Sequence, residues 1–119
     1  MAVEFKVCAL FLETFGKHPE VLSKLDEFRK QKSRDPLMAF GSSDKSFTRG
    51  TPIAEQLPKL RKAHLTHDIS VLYDISGRNP TIIKLYAVLS HDESGTGQPV
   101  NIRLQKGIAR QLANQQFDS

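Results

Sequence analysis

The sequence predicts an α+β domain, an antiparallel four-stranded sheet packed with helices. Short apolar runs with strand character open the chain and recur through its second half. Two other stretches carry apolar residues at helical spacing, one before a long glycine- and proline-containing loop and one at the end. The order is therefore β-α-loop-β-β-β-α. It groups the last strands into a meander and suits an α+β domain better than an alternating parallel one. The first strand then pairs with one of the meander across a longer connection.

Val3, Phe5, Val7, Ala9 and Phe11 alternate with Glu4, Lys6, Cys8 and Leu10, so residues 3–12 read as the first strand. Its polar side is clean only at the start, which predicts burial on both faces further on. A helix follows from Pro19, a residue suited to a first helical position because it has no N–H to lose there. Val21, Leu22, Leu25 and Phe28 form its apolar stripe. Glu20 complements the positive end of the dipole, and Arg29, Lys30, Lys32 and Arg34 the negative end. Asp35-Pro36 stops the helix.

Residues 36–58 read as an extended loop with one short helix over 53–57, anchored to the core by Phe40 and Phe47. Its Lys45 and Arg49 either meet phosphates or are simply solvated. Strands are predicted over 59–65, 69–75 and 82–90, the last two separated by the turn Ser76-Gly77-Arg78-Asn79-Pro80. After Pro99, the spacing of Val100, Leu104, Ile108 and Leu112 predicts a helix. Arg103, Lys106 and Arg110 mark another side of it, open to a phosphate backbone, an acidic partner or solvent.

Bulk properties exclude several classes. With 119 residues the chain forms one domain, residues 1–119, around one core. Hydrophobic and charged fractions of 39% and 25% are those of a soluble globular protein, not of a disordered tract. A net charge of +4 and a pI of about 9.4 favour anionic partners. The single cysteine, Cys8, allows no internal disulfide and lies in an apolar run, as a core residue does. The run VCALFL is far shorter than the roughly 20 residues of a membrane span. It also lacks the flanks of a signal peptide, so a cytoplasmic protein with no membrane partner is expected.

The chemistry concentrates at two strand ends. If Thr66, His67 and Asp68 form a three-residue turn, Leu65 lies opposite Ile69 and His64 opposite Ser70. Alternation then gathers Ala63, Leu65, Ile69, Val71, Tyr73 and Ile75 on one apolar face. Lys62, His64 and Ser70 project from the other. Asp68 sits at the turn, within reach of a histidine that it could orient or charge. The next strand ends in Ser90-His91. A metal site built from His64, His67, His91, Asp92 and Glu93 is a weaker reading, since residues three apart on a strand face opposite ways. No metal and no other cofactor is expected. The histidines could also be plain surface residues.

The pattern Arg61, His64, Asp68, Tyr73, followed by the strand-final Ser90-His91, resembles the RelE/ParE superfamily of bacterial type II toxins. It is nearest to the YafQ branch of ribosome-dependent endoribonucleases. The loop FGSSDKSFTRGTP and the tail SHDESGTGQPVNIRLQKG resemble a ParE-like toxin group, and no histidine stands just ahead of Arg61 where the YafQ branch has one. The resemblance implies a metal-independent mRNA endoribonuclease with His64, Asp68 and His91 catalytic. Arg61 and Lys62 would steady the phosphate; the Arg103, Lys106 and Arg110 stripe, read from the helix pattern, is a further substrate-binding candidate. The resemblance also implies a cognate antitoxin and mRNA on the ribosome as partners. Two alternatives stay open: a non-catalytic toxin acting on DNA gyrase, and a non-toxic accessory protein.

Overall fold

The computed structural model describes residues 2–118 and is an α+β fold. Strand β1 (Val3–Val7) leads into α1 (Ala9–Lys17), a 3₁₀ turn (Pro19–Val21) and α2 (Leu22–Arg34). The loop that follows holds β2 (Lys45–Ser46) and α3 (Pro52–Gln56). The meander is β3 (Arg61–His64), β4 (Ile69–Ser76) and β5 (Thr81–Ser90), and α4 (His91–Ser94) and α5 (Ile102–Ala113) follow. The sheet order is β1-β5-β4-β3-β2.

Two expectations about the sheet are corrected. It has five strands, not four, because the loop contributes β2 along the outer edge of β3. It is also mixed: β1 runs parallel to β5, while every other pair is antiparallel. A parallel neighbour needs a long crossover. Here two helices, the loop and the other strands intervene between β1 and β5.

The first strand is also shorter than predicted, because residues 9–17 are α1. Leu10, Phe11 and Thr14 are its buried residues, a spacing that puts them on one side of a helix but would set Leu10 and Phe11 on opposite faces of a strand. The helix covers the length of β5 that β1 leaves unpaired. Thr14 Oγ1 accepts the Val88 N–H at 2.9 Å and donates to the Leu10 carbonyl at 2.8 Å. Cys8 Sγ lies 3.3 Å from the Tyr86 carbonyl, and burial pushes its pKa up, as befits an inert core thiol.

Both faces of the sheet are covered. Phe28 of α2 stands edge-on to Tyr73 at 5.0 Å, and Phe40 of the loop packs on Phe28 at 5.4 Å. Tyr86 donates to Asp74, whose side chain lies on the opposite face from Tyr73, and Phe117 packs edge-on against Tyr86 at 4.7 Å. The C-terminal helix forms as expected, but its buried line is Gln105, Ala109 and Leu112, and Val100 is exposed. None of the helices is long and apolar enough to cross a membrane, among the described residues.

A candidate acid–base site at the sheet edge

The β3–β4 turn folds in the register that alternation demands. His64 pairs with Ser70, and the Leu65 N–H donates to the Ile69 carbonyl at 2.8 Å. Thr66 Oγ1 closes the turn by accepting the N–H groups of Asp68 and Ile69. Asp68 therefore stands at the tip, directly beside the end of β5.

His91 arrives from the other side. The strand-final Ser90 caps α4: its Oγ accepts the Glu93 N–H at 3.2 Å, and Glu93 returns a carboxylate oxygen to the Ser90 N–H at 2.9 Å. His91 is thus the first residue of a capped turn. Its N–H donates to Asp68, to the carbonyl at 3.2 Å and to the carboxylate at 3.4 Å. The C-cap Gly95 has φ +78, and a Cβ there would meet the Asn101 carbonyl oxygen at 2.6 Å, so only glycine closes this turn without strain.

The two imidazoles meet. Their Nε2 atoms are 3.3 Å apart, with the rings edge-to-face at a centroid distance of 5.3 Å. The other nitrogen of His91, Nδ1, faces the Asp68 carboxylate at 3.6 Å. One imidazole must donate and the other accept, so at least one is neutral. Burial pushes the His64 pKa below the ordinary histidine value, and His91, Lys62, Lys45 and His67 add to this through like-charge repulsion.

The cations around the pair come from β2, β3 and the turn. Lys45 and Lys62 are cross-strand partners. Lys62 lies over the Phe47 ring at 5.4 Å, and burial and then Lys45 depress its pKa. Among the described residues no carboxylate forms an ion pair with either lysine. The result is a rim of uncompensated positive charge suited to a polyanion.

Arg61 does not join this rim. Alternation turns it to the face of Ala63 and Tyr73, where it donates to the Asp44 carbonyl at 3.0 Å and approaches the Asp44 carboxylate at 3.6 Å. Asp44 is fully buried, bonded to Lys32 Nζ at 2.9 Å, to the Phe40 N–H at 2.8 Å and to the Tyr73 hydroxyl. Arg103, Lys106 and Arg110 are exposed on α5, and Lys106 and Arg110 border a groove with Pro52, Glu55 and Gln56 of α3. They are not among the charges that act on His64. Of the residues singled out from sequence, the fold brings together His64, Asp68, His91 and Lys62.

His18 was not visible as a site residue in the sequence, and Lys45 was read only as a loop cation that either meets phosphate or is solvated. The β2–β3 pairing sets Lys45 beside Lys62, which no local sequence pattern shows. His18 reaches Glu93 from the end of α1, 75 residues away along the chain, and nothing local announces it. Among the described residues, no group of three or more His, Cys, Asp or Glu side chains is placed to hold a metal ion.

Neither a protein-family model nor a curated protein matches the sequence. One solved structure shares the fold, a YoeB/ParE toxin from Agrobacterium tumefaciens. It aligns with a TM-score of 0.55 over 76% of this chain and 99% of that one, at 11% identity. At that identity the likeness is one of fold, and it holds across nearly the whole of the toxin.

Proposed function

We propose that the chain is the toxin of a type II toxin–antitoxin pair, a metal-independent endoribonuclease acting on mRNA in the ribosome. The observation that carries this reading is the convergence of His64 and His91, distant in sequence, with Nε2 atoms 3.3 Å apart on a rim of unpaired lysines. The shared fold of the YoeB/ParE toxin supports the toxin part of the reading. The expected setting is the cytoplasm.

His64, kept neutral by its surroundings, is the base. It takes the proton of an RNA 2′-hydroxyl, and O2′ attacks the adjacent phosphorus. The P–O5′ bond breaks, and His91 gives O5′ a proton from Nε2. The products are a 2′,3′-cyclic phosphate and a 5′-hydroxyl. Asp68 beside Nδ1 holds the His91 ring so that Nε2 points to the reacting side. Lys62 and Lys45 take the phosphate charge in place of Arg61, which is engaged with Asp44. The two rings must part to admit the phosphate, because each nitrogen needs its own oxygen at about 2.6–3.2 Å.

The antitoxin that covers such a chain is expected to present acidic residues to its cationic surface. The alternative is a non-catalytic toxin acting on DNA gyrase. It would work through Arg103, Lys106 and Arg110, which are exposed and form no described ion pair.

Primer-extension mapping of cellular mRNA after induction, with DNA breaks scored in the same cells, separates the two. The nuclease gives discrete in-frame cuts that disappear in the His64→Ala/His91→Ala variant, a loss of about 10⁴-fold if both proton transfers are removed. DNA breaks without cuts, or full toxicity of the double variant, would overturn it. An absence of any growth effect would remove both toxin readings.

A further inference from the structure

We infer that Glu93, held by His18, is the positioning residue that fixes His91 for proton transfer. The inference rests on the nuclease reading above and deepens it. His91 opens a helix of four residues, too short to hold its own shape. Its frame must come from outside. The Glu93 carboxylate supplies it on one side by accepting the Ser90 N–H at 2.9 Å, immediately before His91. The same oxygen, Oε1, lies 2.6 Å from His18 Nε2, so one carboxylate oxygen joins the cap to the end of α1.

His18 is itself fixed. Its ring is largely buried, its Nδ1 faces Glu20 at 3.5 Å, and its N–H donates to the Phe15 carbonyl at 2.9 Å. The remaining polar groups of the His91 backbone are also engaged. Its carbonyl accepts the N–H groups of Thr96 and Gly97 and the Ser94 hydroxyl, and its N–H is given to Asp68. The Ser90 and His18 bonds hold the Glu93 carboxyl below its ordinary pKa despite burial, so it stays an acceptor for both donors. Among the described residues no hydrogen bond or ion pair joins the Glu93 side chain to His64, His91, Lys62 or Lys45. Glu93 acts through the backbone that carries His91, as outer groups orient reacting ones.

The test compares the full-length wild type with Glu93→Ala, Glu93→Gln and His18→Ala. The readouts are cleavage of message on programmed ribosomes, thermal stability, and the inter-ring proton NOE between His64 and His91. Glu93→Ala is expected to lower kcat by about 100-fold, with KM within about twofold, because misplacement rather than lost binding is at stake. It should also lose the NOE. Glutamine completes a capping box as glutamate does, so Glu93→Gln should recover kcat to within about threefold and keep the NOE. His18→Ala leaves the box intact and should show a smaller loss in both.

Retention of kcat and of the NOE in Glu93→Ala would overturn the inference. So would a Glu93→Gln variant as impaired as the alanine. If Glu93→Ala does not fold, His18→Ala decides by the same two readouts, and wild-type values there count against the inference. If the wild type cuts no message, the nuclease reading fails, and the NOE alone still decides whether Glu93 places the His91 ring.

Discussion

His64 titrates in a field of like charge. Burial, His91, Lys62, Lys45 and His67 all favour its neutral form, and only a neutral imidazole can act as a base. The acidic limb of the pH profile of kcat/KM should therefore lie below the ordinary histidine value of about 6.5. Lys62→Ala removes one of the repelling charges. The His64 pKa then rises, the proton is held to higher pH, and the limb moves upward. KM rises as well, because a phosphate-facing cation is lost. A profile unmoved by Lys62→Ala would exclude His64 as the base. At this scale the alternation rule placed His64 and Lys62 on one side correctly. The same rule puts Arg61 with Ala63, and the resemblance to nuclease toxins, not the strand geometry, had grouped it with Lys62.

Among the elements, α1 was read as strand, while β2 and α4 were read as loop. The run from Val3 to Phe11 alternates well enough for a strand, yet Cys8, Phe11 and Phe15 also fit a helix. What decides is the edge of β5. Beyond Val7 the strand has no neighbour on that side, and its Val88 N–H needs an acceptor. Thr14 provides one only from a helix that crosses the edge. Thr14→Val should keep the side-chain shape and leave that buried N–H unpaired, at a cost of about 1–3 kcal/mol in urea unfolding. A variant as stable as the wild type would show that another group serves Val88. The three strands of the meander, by contrast, were readable to within one or two residues at their ends, because its turns are short and local.

For the molecule as a whole, the buried network around Asp44 ties the long loop to α2, β3 and β4. The side chains of Lys32 and Asp44 are 1% and 0% exposed. Lys32, the Phe40 N–H, the Tyr73 hydroxyl and the Arg61 guanidinium surround one carboxylate. These hydrogen bonds hold its pKa below the ordinary aspartate value against desolvation, while burial and the carboxylate push that of Tyr73 up. Because the folded pKa of Asp44 is the lower one, its contribution is present above the ordinary value of about 3.9. It is lost as pH falls through the folded value. Asp44→Asn should cost about 3–5 kcal/mol near neutrality, because it removes the carboxylate from a buried ion pair with Lys32. Chemical denaturation across pH should also show that the variant lacks this part of the acid-induced loss. An equal acid dependence in both would place its origin elsewhere.

By itself the sequence determined the features that need only neighbouring residues: the strand periods of the meander, the Thr66–Asp68 turn, and the side of β3 from which His64 projects. Alternation and turn geometry are local, and the local chain specifies them. Only the tertiary structure decided which distant groups meet. It set β1 parallel to β5, drew Lys45 beside Lys62, turned Arg61 onto Asp44, and brought His18 to the cap that carries His91. Those contacts depend on how helices and sheet bury their apolar faces together, a property of the packed molecule that no single segment encodes.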